Sequence, residues 1–143
     1  MLFLRYNVRE MNAERLLDEF IKSEDTFRAY KDGELIFRSA KKQLLPLLDY
    51  IAAFVPQVKG VTIFDRVIGN AAALLLRKAL CFEVYCLIIS QLAINSLNEF
   101  GIRYNFLELV PYISNREGDG MCPMERLSLG KTPEEFYQVL KTY

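Results

Sequence analysis

Apolar residues recur along the chain with two different periods, and the alternation between them sets out the elements. Ala13, Leu16, Leu17, Phe20 and Ile21 keep the three-and-four spacing of a single buried helical face, so residues 12–23 are predicted as a helix with Asn12 as its cap. Thr26–Lys31 and Glu34–Ser39 flank Asp32-Gly33, a pair suited to a two-residue hairpin turn. Leu44, Leu45, Leu48, Ile51, Ala52 and Val55 return to helical period, with Pro46 near the start of that helix and Pro56 near its end. Then follow a β-branched strand at Val61–Phe64, an Ala/Leu-rich helix through Lys78, a strand at Glu83–Ile89, and a helix from Ser90 to Gly101. A last strand falls within Arg103–Leu109. Asn115–Gly120 is rich in turn formers, and Thr132-Pro133-Glu134-Glu135 carries a helix-starting capping box.

A helix and a hairpin followed by alternating strands and helices imply an α/β fold with three layers, α/β/α. Its sheet is expected to be mixed, with the antiparallel hairpin at the N-terminal side. No low-complexity tract or linker divides the chain, so residues 1–143 are expected to form a single domain, with 12–128 as its core and 132–143 as a C-terminal helix.

Charge narrows the partners. Lys plus Arg and Asp plus Glu stand at 18 each, so no net field gathers nucleic acid, which is not expected as a partner. The apolar stretch Ile68–Leu76 is far short of the ~20 residues of a membrane span, so no membrane partner is expected either. Three cysteines without regular spacing do not make a disulfide framework, and no leader-like start is visible; a reducing cytoplasm fits. Histidine is absent, which removes the commonest zinc ligand and the usual base near neutral pH. Ten Phe and eight Tyr leave a surplus of apolar surface that a homodimer face could use.

Two segments carry a more specific signal: Phe64-Asp65-Arg66-Val67-Ile68-Gly69-Asn70-Ala71-Ala72-Ala73, and Leu109-Val110-Pro111-Tyr112-Ile113 through Asn115-Arg116 to Gly118-Asp119-Gly120-Met121-Cys122-Pro123-Met124-Glu125. From about Glu14 to Ser128 the chain resembles an uncharacterised prokaryotic family, a domain of unknown function grouped with the cytidine-deaminase-like folds. That resemblance implies a deaminase-like scaffold. Zinc deaminases carry a His or Cys followed by Ala and Glu at one helix start, and Pro-Cys-x-x-Cys at the next. Here the corresponding helix opens with Gly69-Asn70-Ala71-Ala72, and only Cys122, with Glu125 three residues on, stands near a later helix start. One thiol and one carboxylate fall short of the three protein ligands of a catalytic zinc, so neither metal nor other cofactor is expected and zinc-dependent deamination is excluded.

The leading expectation is a small-molecule-binding domain, with a nucleotide-like ligand suggested by fold analogy alone. Asp65 and Arg66 fall at the carboxyl end of a strand, where open α/β sheets form ligand crevices, and Gly69-Asn70 follow with free N–H groups able to cradle an anion. Asn115 and Arg116 could bind a phosphate or carboxylate. One alternative is an enzyme using Cys122 as nucleophile or redox thiol, with Asp119 or Glu125 managing the proton. Another is a structural protein acting as a homodimer. Blander roles stay open for each residue: packing for Cys122 and for Met121 and Met124, turn formation for Asp119, solvation for Asn115 and Arg116, helix packing for Gly69.

Overall fold

The computed structural model describes residues 13–142; the expected Asn12 cap lies outside them. Helix α1 spans 13–22 and buries Phe20. Strands β1 (Phe27–Lys31) and β2 (Glu34–Ser39) form the hairpin, with Asp32 and Gly33 both at positive φ (52° and 83°), the conformation a two-residue primed turn requires. Helix α2 (Leu45–Phe54) carries Pro46 in its first turn, where a missing N–H costs nothing. Next come β3 (Val61–Asp65), β4 (Val67–Ile68), α3 (Asn70–Lys78), β5 (Cys81–Tyr85), β6 (Ile88–Ser90) and α4 (Gln91–Phe100). The Ser90 hydroxyl caps α4 by accepting the Ala93 N–H at 3.0 Å, and Gly101 ends it in the left-handed region. Strands β7 (Arg103–Asn105) and β8 (Glu108–Val110) precede helices α5 (Pro123–Ser128) and α6 (Pro133–Lys141). Helix α6 opens with the expected capping box between Thr132 and Glu135.

The main sheet has the order β2-β1-β3-β5-β7, with β1 antiparallel to both neighbours and β3, β5 and β7 parallel. Alternate residues separate its faces. Phe27, Ala29, Val61, Ile63 and Val84 join the large core with α2, α3, α4 and α6, whereas Tyr30, Phe64 and Tyr85 meet Phe20, Leu16 and Leu17 of α1. The result is a three-layer α/β/α arrangement. Helix α3 packs among α2, α4, α5 and α6, which is why every residue from Asn70 to Leu76 is buried and its sequence is apolar nearly all round.

Three sequence expectations change. The strands expected at Glu83–Ile89 and within Arg103–Leu109 are each two strands, and Val67-Ile68, to which the sequence pattern assigns no strand, forms one ahead of the helix that opens at Gly69-Asn70. The second members form a separate parallel sheet, β4-β6-β8. The bends occur side by side because one carbonyl serves two successive donors at each. The Arg66 carbonyl accepts the N–H groups of Leu87 (3.1 Å) and Ile88 (3.0 Å), and the Leu87 carbonyl accepts those of Leu107 (3.2 Å) and Glu108 (2.8 Å). Backbone groups thus stay paired while the sheet changes direction, and a continuous apolar run cannot reveal such a bend. Phe106 and Leu107 just before the last of these strands, Leu109 on it and Tyr112 just beyond it remain exposed. Among the described residues, no helix is long and apolar enough to cross a membrane.

Candidate functional site

The change of direction opens a cleft where β3 ends. Asp65, Val67, Gly69, Ala71 and Ala72 line one side; Gln43 and Leu44, ahead of α2, line another; Ile113, Cys122, Met124 and Glu125 close it. It measures about 320 Å³, the lower end of the range for small-molecule pockets.

Its floor is built around Glu125, a residue only 2 % exposed. Helix α3 begins at Gly69, which has no side chain to cap the free N–H groups of the first turn. Glu125 supplies the cap from α5: Oε1 accepts the Asn70 N–H, and Oε2 accepts the Ile113 N–H at 2.7 Å. Only glycine admits this approach, since a Cβ on residue 69 would lie 2.7 Å from Ile113 Cγ1 and 2.8 Å from Glu125 Oε1. Behind the floor, Asn70 Nδ2 donates to Ser128 Oγ at 2.9 Å and Asn70 Oδ1 accepts from the Ser96 hydroxyl, joining α3 to α4 and α5. Ser128 Oγ in turn donates to the Glu125 carbonyl at 2.6 Å.

Ile113 and Cys122 form the base of a short hairpin: the Cys122 N–H donates to the Ile113 carbonyl at 2.8 Å, and Ser114 bridges Met121. At its tip, Asn115 Oδ1 accepts the N–H groups of Gly118 (2.8 Å) and Asp119 (3.2 Å), while Asn115 Nδ2 donates to Asp119 Oδ1 at 2.8 Å. Cys122 is half-buried and stands immediately before α5, its carbonyl accepting the Arg126 N–H at 3.0 Å.

Asp65 sits at the mouth of β3. Burial pushes its carboxyl up to about 7, against the opposing effect of the Arg66 and Val67 N–H groups and the Arg66 charge. Oδ1 accepts the Arg66 N–H at 2.8 Å. The Arg66 guanidinium points elsewhere. It donates to the carbonyls of Phe20 (3.2 Å), Ser23 (2.9 Å) and Asp25 (3.0 Å) and lies 5.0 Å over the Phe20 ring, fastening α1 to the sheet.

Of the residues singled out from sequence, Asp65, Gly69, Cys122 and Glu125 come together in the cleft, with Met124 beside them. Arg66 does not line it, and the three carbonyl bonds on the α1 side explain why. Asn70 is buried behind the floor, and Asn115, Arg116 and Asp119 belong to the exposed hairpin tip. The two groups expected to manage a Cys122 proton are committed otherwise, Glu125 to two backbone N–H groups and Asp119 to Asn115. Sequence reasoning missed Gln43, Leu44, Val67 and Ile113. Gln43 adopts a positive φ of 58°, a local feature that its residue type does not signal. Among the described residues, no group of three or more His, Cys, Asp or Glu side chains is placed to hold a metal ion.

Fold and cleft define the class: a three-layer α/β/α domain with a mixed sheet and a pocket at the carboxyl end of its parallel strands. The family model TM1506, described as a domain of unknown function (DUF1893), matches residues 15–143, and the chain belongs to that family. It is similar to the crystal structure of TM1506, a DUF1893 family protein from Thermotoga maritima, at 29% identity and a TM-score of 0.82; the match covers 91% of this chain and 88% of that one. No curated protein matches the chain.

Proposed function

We propose that this chain is a small-molecule-binding domain on a cytidine-deaminase-like scaffold that works without zinc. One observation carries the binding reading: a carboxyl, a thiol and apolar walls share a single ligand-sized cleft at the carboxyl end of β3. The scaffold reading is supported by a hairpin at one side of the sheet followed by parallel strands, together with the resemblance of the Asp65–Ala73 and Gly118–Glu125 segments.

The donor set does not fit zinc. The two helix starts that would hold it offer one thiol, Cys122, and one carboxylate, Glu125, whose two oxygens already accept backbone N–H groups.

The experiment is a fragment screen by ligand-observed NMR, run on the protein and on protein alkylated at Cys122 with N-ethylmaleimide. Cys81 and Cys86 are buried, so the label goes to the cleft. Fragments that bind the free protein and are lost on alkylation are the expected result. Binding that ignores the label, or no binding at all, overturns the proposal.

A further inference from the structure

We infer that the cleft takes a small organic cation, an amine or amidinium on an apolar body, with Asp65 as its anchor. This deepens the proposed function and rests on it.

The start of α3 leaves no room for an anionic ligand. A helix N-terminus at the end of a strand ordinarily attracts an anion, and Gly69-Asn70 suggest one. That place is already filled by the Glu125 carboxylate, which takes the Asn70 N–H and, with its other oxygen, the Ile113 N–H. The protein therefore carries its own anion there, and a phosphate or carboxylate ligand would meet that charge without the donor it needs.

The rest of the lining points the same way. No Lys or Arg is among the cleft residues. Arg66, next to Asp65 in the chain, spends its guanidinium on three carbonyls on the α1 side of the sheet, and Arg116 is exposed in the hairpin tip. Asp65 differs from Glu125 in having acceptor capacity left. A carboxylate offers about four lone-pair sites, and the neighbouring backbone N–H groups of Arg66 and Val67 use only part of them. Leu44, Val67, Ile113 and Met124 supply apolar contact for the remainder of the ligand. In a partly desolvated cleft, a cation beside Asp65 gains more than it would in water.

The charged and titratable groups around Asp65 are Arg66, whose charge favours the ionised carboxyl, Cys86 from the bend between β5 and β6, and, lining the same cleft, Cys122 and Glu125 from the hairpin base and α5. Asp65 must lose its proton to pair with a cation, so affinity rises as pH increases through the neighbourhood of 7.

The test compares benzylamine and benzamidine with benzyl alcohol, benzoate and phenyl phosphate by NMR titration of the wild type and D65N. The amine and the amidine should bind about tenfold or more tighter than the alcohol, and the two anions should not compete. Between pH 5 and pH 8, where benzylamine stays protonated, its affinity should rise by about tenfold or more, and D65N should abolish both the preference and the pH dependence. Benzoate or phenyl phosphate binding as well as the amine would overturn the inference, as would a preference that survives in D65N. If benzyl alcohol binds, is displaced by Cys122 alkylation and matches the amine, the cleft still binds ligands but the cation assignment falls. Failure of all five probes overturns the cation assignment, and the binding reading falls with it only where the fragment screen also finds no ligand.

Discussion

Replacing Glu125 by alanine strips two backbone donors at the floor of the cleft of their acceptor. The Asn70 N–H and the Ile113 N–H both lose a carboxylate acceptor, and Glu125 is 2 % exposed. A hydrogen bond to a charged group contributes about 1.5–3 kcal/mol, and leaving its buried partner unpaired forfeits most of that. Two such losses together come to about 3–5 kcal/mol, a large share of the ~5–15 kcal/mol that holds a domain folded. Glu125→Gln separates the effect from simple loss of volume. Its amide oxygen can serve one donor, but its NH₂ then faces the other, so about half the loss is expected. Urea unfolding is the assay. At a slope of about 2 kcal/mol per molar, the alanine variant's midpoint should fall by about 2 M and the glutamine variant's by about 1 M. Hydrogen exchange gives the local check, with Asn70 and Ile113 amides both speeding up in the alanine variant. A loss under about 1 kcal/mol, with both amides exchanging as in the wild type, would refute the claim that Glu125 caps α3 and holds the hairpin base.

Three further outcomes follow from the same structure. Asp65 has a folded-state value near 7, above the usual carboxylate value of 3.8, so the folded protein holds a proton that the unfolded chain releases. Stability should therefore fall as pH rises from about 4 to about 7, on the order of 1 kcal/mol per pH unit, and D65N should lack that slope in paired urea titrations. Asp25 is buried with Arg28 at 2.7 Å, and although burial opposes its charge, hydrogen bonds from Arg28 and Arg38 hold its carboxyl below the ordinary value. Arg28→Met should cost about 3–5 kcal/mol by leaving that carboxylate buried without its close partner, whereas the mostly exposed Arg38 should cost about 1 kcal/mol or less as Arg38→Ala, both read by urea unfolding. Burial pushes the Cys81 thiol up and the Cys86 thiol up to about 12, so a chromogenic disulfide reagent should titrate one thiol per native chain, at Cys122, and three after unfolding. Two or more fast native thiols would contradict the burial.

The regular elements were legible because each carries its own periodicity or punctuation. Asp32-Gly33 implies its turn, Ser90 and Gly101 bracket α4, and Thr132 and Glu135 make the capping box seen at α6. The bends were not legible. Cys86-Leu87 lies inside the apolar run Val84–Ile89 and Phe106-Leu107 is an apolar pair between Asn105 and Glu108, and only the neighbouring strand's carbonyl shows that they turn. The site divided along the same line. Position along the chain placed Asp65, Gly69, Cys122 and Glu125 at strand and helix ends, which the fold then gathered. Position also suggested Arg66, beside Asp65 at the strand end, and residue type suggested Asn115, Arg116 and Asp119, but a side chain's direction is decided by the partners it finds in the fold. Arg66 turns to carbonyls more than forty positions earlier, while Asn115 and Asp119 satisfy each other.

Gly69 shows how closely cleft and stability are joined. Its backbone, at φ −98° and ψ −177°, is one that any residue adopts, so conformational freedom does not explain the glycine. Contact does. A methyl group there would press on Ile113 and on the carboxylate of Glu125, and Glu125 cannot yield without releasing the Asn70 or the Ile113 N–H. The same carboxylate fixes the hairpin base that presents Cys122 and occupies the helix start that would otherwise attract an anion. The contact that fastens α5 to α3 is thus also what leaves Asp65 as the acceptor facing the cleft, so substitutions at Gly69 or Glu125 should alter stability and ligand choice together.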